Sequence, residues 1–206
     1  MPMSAIPNSL IKQPTVFFDR DGTLNVEKGY IRNVEDIELY PNVAQAVKKL
    51  NDAGILCILT TNQTGAGRGF YDLTHIEALN QRVCDLLHQQ AGAWLDAVYY
   101  SPYYARAVVP EFARDSDCRK PNTGMIKQAQ QRFPQIDLTQ SFVFGDKPTD
   151  VELAHNAGCR GILLRTGYGA NVLAGKYQSL TVEPWAIADS TVEAVELVLA
   201  TLGLSK

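Results

Sequence analysis

Two periodicities alternate along the chain. Short runs rich in β-branched and aromatic residues lie at Thr15 to Asp19, Ile55 to Thr61, Ala97 to Ser101, Ser141 to Gly145 and Gly161 to Arg165. Each is apolar on both faces and bounded by Gly, Pro or polar residues, the pattern of a parallel strand covered on both sides. Between them, apolar residues recur at helical spacing. Val43, Ala46, Val47 and Leu50 form a stripe after Pro41 that stops at Gly54, and Ile76, Leu79, Val83, Leu86 and Leu87 form another that ends near Gly92. The pattern predicts further helices from about Thr123 to Phe133 and from about Thr149 to Ala157, the latter stopped by Gly158. A last stripe, Val192, Val195, Leu199 and Leu202, predicts a C-terminal helix packed back on the sheet.

Strand and helix in alternation specify a doubly wound, mainly parallel α/β sheet with helices on both faces and right-handed crossovers. Three segments fall outside this scheme and are expected as long functional or mobile loops: Arg20 to Tyr40, Pro102 to Pro121 and Tyr168 to Pro184. With no internal repeat and no linker-like shift in composition, one domain over residues 1–206 is expected, without a large cap domain.

Composition narrows the classes further. Of 206 residues 46% are hydrophobic and 20% charged, with 15 Gly and 10 Pro, which excludes disordered, collagen-like and coiled-coil chains. A net charge of −3 offers no overall attraction to nucleic acid or to an anionic membrane, so neither is an expected partner. No run approaches the roughly 18 to 20 apolar residues that span a bilayer. The polar, Pro-interrupted start, Met1 to Ser9, has no apolar signal core, and a cytoplasmic location is expected. Cys57, Cys84, Cys118 and Cys159 form no C-x-x-C pair, so no disulfide framework is expected and three of them read as buried thiols.

Open α/β sheets bind ligands at the carboxyl ends of their strands. The first predicted strand ends in Asp19-Arg20-Asp21-Gly22-Thr23, where two carboxylates two residues apart call for a cation or a shared proton. Oxygen ligands favour a hard ion such as Mg²⁺, although an Asp-x-Asp-Gly turn can also simply cap a strand. The second strand ends in Thr60-Thr61-Asn62-Gln63, donors suited to phosphate oxygens, and the fourth in Gly145-Asp146-Lys147 with Asp150 soon after. Between them, Cys118-Arg119-Lys120-Pro121 puts two cations just before a helix.

Acid pair, hydroxyl, lysine and acid in this order resemble the haloacid dehalogenase superfamily of phosphotransferases, and within it the branch of histidinol-phosphate and D-glycero-D-manno-heptose 1,7-bisphosphate phosphatases. The similarity runs from Phe18 to Asn25 with Gly29-Tyr30, then from Thr61 through Arg68-Gly69, and over Cys118 to Pro121, Gly124-Met125, Gly145 to Lys147, Asp150 and Arg165 to Gly167, within a core of about 14–169. The resemblance implies a Mg²⁺-dependent phosphomonoesterase acting on a small phosphate ester, foremost a sugar bisphosphate, through an aspartyl-phosphate. Asp19 would be the nucleophile, Asp21 the acid and base, and Thr61 and Lys120 the holders of the phosphoryl group. Mg²⁺ would sit between the carboxylates of Asp19 and Asp146 and the main-chain carbonyl of Asp21, while Asn62, Arg68 and Arg119 would contact substrate. A monomer or small homo-oligomer is expected.

The chain departs from the heptose branch in one loop. There a Cys-x-His and a Cys-x-Cys pair hold zinc, whereas here the matching positions are Ser101-Pro102-Tyr103 and Ser116-Asp117-Cys118, so no structural zinc is expected. Tyr99, Tyr100, Tyr103, Tyr104 and Phe112 are expected to pack together and order the loop instead. Arg106, Arg114 and Arg119 offer a second anion site or plain solvated surface, and Gly65, Gly67 and Gly69 a flexible phosphate-side loop or a plain turn. His75, His88 and His155 receive no role. Competing readings are a histidinol-phosphate phosphatase, a phospho-acceptor of the receiver type and a sugar-phosphate-binding pseudoenzyme. The receiver reading suffers because no isolated Asp ends a central strand between Asp19 and Thr61.

Overall fold

A computed structural model describes residues 12–205; the opening run read as lacking a signal core lies outside them. Six parallel strands, β1 (Thr15–Phe18), β2 (Leu56–Asn62), β3 (Ala97–Ser101), β4 (Phe142–Gly145), β5 (Arg160–Leu164) and β6 (Ala186–Ala188), form a sheet in the order β3-β2-β1-β4-β5-β6. The order reverses at β1, which pairs with β2 on one side and β4 on the other. Asp19 and Asp146, at the ends of β1 and β4, are thereby brought to the switch point where such sheets bind ligands.

Alternation along each strand sorts the core into two layers. Val16, Phe18, Cys57, Leu59, Phe144 and Leu164 face α1 (Val43–Asp52), α2 (Leu73–Ala91) and α6 (Thr191–Thr201). Phe17, Ile58, Val143 and Leu163 face α3 (Gly124–Arg132), α4 (Pro148–Ala157) and α5 (Gly169–Leu173). Both faces are therefore covered, as the continuous apolar runs require. Helix ends follow local chemistry: Asp72 and Ser190 cap the starts of α2 and α6, and Gly92 and Gly158 close α2 and α4 in the left-handed conformation.

The structure corrects several expectations. The stretch from Tyr168 to Pro184 is not all loop, since α5 occupies its first turns, and a sixth strand follows it. Ala186–Ala188 is too short to announce itself by periodicity; its pairing with β5 makes it a strand. Only Cys57 is buried, while Cys84 and Cys159 are partly exposed, so the count of three buried thiols was too high; all four cysteines are free. Among the described residues no helix is long and apolar enough to cross a membrane.

The long loops are packed. Leu24, Ile31, Ile37 and Leu39 anchor residues 20–40 in the first core layer. In β3 and the loop after it, Tyr100, Tyr103 and Phe112 pack with Ala66 and Ile76, but Tyr99 points to the α3 side and Tyr104 lies under two arginines. The expected five-membered aromatic cluster is thus split: Tyr99 and Tyr100, neighbours on a strand, face opposite ways, and Tyr104 is taken up by Arg68 and Arg119. Main-chain bonds also hold this loop: Gly124 N–H donates to Asp117 O at 2.7 Å and Arg119 N–H to Ser116 O at 3.0 Å.

Candidate active site

Strand ends and two helix starts converge on a buried charge cluster. Lys120, 3% exposed, places its Nζ 2.9 Å from Asp19 Oδ1 and 2.6 Å from Asp150 Oδ1. It also donates to Thr60 O at 2.9 Å. Asp19, Asp146 and Asp150 each turn a carboxylate oxygen toward a common point, all within 4.8 Å of one another. Lys147 lies 3.6 Å from Asp146 and 3.2 Å from Glu27. The four carboxylates thus share only two ammonium groups among the described residues, an excess of two negative charges.

Electrostatics reports the imbalance. Burial would raise the Asp19 carboxyl, but Lys120 and Lys147 more than offset it and hold the group below its ordinary range. Asp146 goes the other way. Burial, opposed by Lys147 and reinforced by Asp19 and Asp150, pushes it up to about 7. Asp150 is raised by burial despite its contact with Lys120, because that one ammonium serves two carboxylates. Asp146 Oδ1 is buried without a hydrogen-bond partner among the described residues. An orphaned carboxylate oxygen, an all-oxygen donor set and two unbalanced charges fit a hard divalent cation.

The surrounding backbone is shaped to this cluster. Gly22, at φ +83°, and Gly167, at φ +54°, approach so closely that a Cβ on either would fall 2.3 or 2.2 Å from Asp146 Oδ2. That oxygen accepts the N–H of Tyr168 at 2.8 Å, and Thr166 Oγ1 donates to Gly22 O at 2.6 Å.

Asp21 is not part of the acid cluster through its side chain, which corrects the idea that Asp19 and Asp21 form one repelling carboxylate pair. Its carboxylate is instead gripped by Arg20 Nη2 at 2.9 Å, Gln63 Nε2 at 2.9 Å and Asn25 Nδ2 at 3.0 Å. Arg20 is 1% exposed and reaches on to Asn80 of α2 at 3.0 Å and to Gln63 Oε1 at 3.0 Å. The third carboxylate of the cluster is Asp150, fixed at the start of α4, where its other oxygen accepts the Lys147 N–H at 3.1 Å.

The remaining expected residues divide. Thr61 is buried beside the cluster and its hydroxyl accepts from Gln63 Nε2 at 3.0 Å. Asn62 holds Lys120 by both main-chain groups, accepting its N–H at 3.0 Å and donating to its carbonyl at 3.1 Å. Arg119 lines the cavity, braced by Tyr103 O at 3.1 Å and the Tyr104 ring. Arg68 is exposed at the rim, over the rings of Tyr104 and Tyr30, and does not line the cavity. Gly65 to Gly69 make a packed turn, with Arg68 N–H bonded to Thr64 O at 3.0 Å and Phe70 N–H to Gly65 O at 3.0 Å. Arg114 lies over the ring of Tyr103, and Cys118 Sγ accepts from Gln128 Nε2 at 3.2 Å.

A cavity of about 330 Å³ opens above this cluster. Asp21, Asn62 and Gln63 reach its floor, but Asp19, Thr61, Lys120 and Asp146 lie deeper and do not line it. Sequence reasoning missed Arg20, Asn80, Glu27 and Tyr177, and read Gln63 as a phosphate donor rather than as a partner of Asp21. Gln63 and Arg20 stood inside recognised motifs, whereas nothing local distinguishes Asn80 or Tyr177.

Comparison with known proteins agrees with this arrangement. A model of the HAD-hydrolase-like family matches residues 117–194. A D-glycero-D-manno-heptose-1,7-bisphosphate 7-phosphatase from Thermosynechococcus vestitus is 48% identical over 193 residues, 92% of this chain and 97% of that protein. The D-glycero-beta-D-manno-heptose-1,7-bisphosphate 7-phosphatase of Haemophilus ducreyi is 39% identical over 74% of this chain and 83% of its own. Among solved structures, a D,D-heptose 1,7-bisphosphate phosphatase from B. bronchiseptica, complexed with magnesium and phosphate, is 27% identical with a TM-score of 0.80, covering 92% of this chain and 99% of that one. Likeness over nearly the whole of both sequences, on a sheet that gathers its acids at the switch point, makes this chain a HAD-type phosphatase of the haloacid dehalogenase superfamily.

Proposed function

We propose that this protein is a Mg²⁺-dependent phosphomonoesterase that removes the 7-phosphate of D-glycero-D-manno-heptose 1,7-bisphosphate, working as one HAD-like domain. The observation that carries the substrate is the 48% identity, along 97% of its length, with a relative of that name. The chemistry is supported by the buried Asp19–Lys120–Asp150 contact beside Asp146.

In this reading, Asp19 attacks phosphorus, the bond from phosphorus to the sugar oxygen breaks, and an aspartyl-phosphate forms. Lys120 and the Thr61 hydroxyl hold the phosphoryl oxygens as charge moves onto them. Asp21 protonates the departing alkoxide and then takes a proton from the water that attacks phosphorus, which breaks the bond to Asp19 and releases inorganic phosphate. The clamp of Arg20, Gln63 and Asn25 keeps the Asp21 carboxylate in one orientation for both transfers. Mg²⁺, held by Asp19, Asp146 and the Asp21 carbonyl with Asp150 behind them, would supply the positive charge that lets a carboxylate approach a phosphate dianion. Arg119 contacts the substrate from the cavity wall, Arg68 acts from the rim, and Asn62 acts through the backbone of Lys120.

Phosphate release across sugar mono- and bisphosphates, histidinol phosphate and nucleotides, with Mg²⁺ and with EDTA, tests the proposal. Metal-dependent preference for the heptose bisphosphate is expected. Preference for histidinol phosphate would overturn the substrate, and binding without turnover on any member would leave a sugar-phosphate-binding protein.

A further inference from the structure

The buried residues that would handle the phosphoryl group do not line the cavity, so the cavity is space for the rest of the substrate. Part of its lining, Tyr168, Tyr177 and Gln178, comes from a stretch of the chain beyond every recognised motif. Lys147, Thr149, Tyr30, Tyr71 and Arg119 line it as well. The Tyr168 and Tyr177 rings are stacked, 4.7 Å between centroids and 27° between planes, with Lys147 Nζ 5.0 Å from the Tyr168 ring centroid.

The wall is fixed at its base. Tyr177, Leu173, Leu180 and Val182 pack on Val151, Leu163 and Val172, Lys176 N–H bonds Asn171 O at 2.8 Å, and Thr181 Oγ1 donates to Glu152 of α4. Tyr168, by its own N–H, is tied to Asp146. Among the described residues the hydroxyls of the half-buried Tyr168 and Tyr177 and the amide of the exposed Gln178 bond no other protein group, so they are open to solvent or to a ligand. A wall anchored below and polar but unengaged above suits a neutral polyhydroxyl body, whose hydroxyls bond phenol and amide and whose C–H faces lie on aromatic rings.

We infer that Tyr177 and Gln178 are specificity-determining residues that bind the sugar body of the substrate, taking over from the C-terminal segment the part that a cap would play. The inference rests on the phosphatase reading above. It sorts substrates by what lies beyond the transferred phosphoryl, so a phosphate with almost no body should not sense it.

The test compares Tyr177→Phe, Tyr177→Ala and Gln178→Ala with the parent, using acetyl phosphate and the preferred member of a panel of sugar phosphates. The expected result is a fall of about three- to tenfold in the ratio of kcat/KM for the sugar phosphate to that for acetyl phosphate, carried by KM rather than kcat. Tyr177→Phe removes only a hydroxyl and keeps the packing, so a folding defect in Tyr177→Ala would not hide the answer. Ratios within twofold of the parent for Tyr177→Phe and Gln178→Ala would overturn the inference while leaving the phosphatase reading in place. A parent that hydrolyses neither acetyl phosphate nor any sugar phosphate would overturn both.

Discussion

Lys120 Nζ and Asp19 Oδ1 are 2.9 Å apart, and both side chains are almost wholly withdrawn from solvent. Lys120 reaches Asp19 from a loop more than a hundred residues away, and Asp150 holds it from the far side. A lysine so placed does two things at once. It stabilises the ionised Asp19, and it stands where a phosphoryl group bound to Asp19 would need positive charge.

Asp19→Asn keeps the shape of the side chain and leaves Lys120 paired with Asp150. Turnover is expected to fall at least about 10³-fold, with a melting temperature close to the parent's. Phosphate release and a thermal melt on the same preparation check this, and parental turnover would rule out Asp19 as the nucleophile.

Lys120→Met removes the ammonium that, alone among the described residues, touches both Asp19 and Asp150. Breaking a buried pair by deleting one partner costs about 3–5 kcal/mol, because the charges left behind are unpaired. Urea unfolding should show that loss together with loss of activity; a variant as stable as the parent would mean that the cluster is better solvated than its burial implies.

Asn62→Ala leaves the main-chain N–H and carbonyl of Lys120 without their partner. A stability loss of about 1–3 kcal/mol is expected, with kcat reduced more than KM is raised, since the lysine and not the substrate loses its hold. Steady-state kinetics distinguish this from direct substrate binding, which would move KM instead.

Divalent metal should stabilise the fold itself. At Mg²⁺ one hundred times its dissociation constant the gain is about 2.7 kcal/mol, seen as a higher melting temperature than in EDTA. In Asp146→Asn the orphaned oxygen loses its charge, and the Mg²⁺-induced shift should shrink or vanish; a full shift would place the cation elsewhere.

The same carboxylate sets a pH dependence in EDTA. Asp146 goes from an ordinary value of 3.8 to about 7 in the folded protein, chiefly through burial. Between those values the folded state binds more protons than the unfolded state, so stability falls as pH rises through that window. Asp150, raised by burial as well, acts in the same sense. Denaturant midpoints in EDTA should therefore drop from pH 5 to pH 7.5 and recover when Mg²⁺ is added; a rise over that range would contradict the burial of the cluster.

Much of the site was legible because its residues sit at strand ends, where periodicity predicts them. Asp19, Thr61 and Asp146 follow directly from the apolar runs before them, and Lys120 from the cation pair ahead of α3. The partner of Asp21 was less accessible. Two acids in sequence suggested repulsion, but Arg20 between them turns back onto Asp21, and another of its contacts, Asn80, lies sixty residues away on α2. Such a bond has no signature in spacing.

The sequence by itself determined the doubly wound class, the elements that carry the chemistry and the residue types at the switch point, because hydrophobic period and turn residues are local properties of the chain. Tertiary structure alone decided that Asp150 joins the acid cluster while the Asp21 side chain leaves it. It also turned Asn62 toward the backbone of Lys120 and brought Tyr177 to the cavity. Those outcomes depend on which buried charges find partners when distant segments meet, and burial is a property of the packed sheet that no single segment contains.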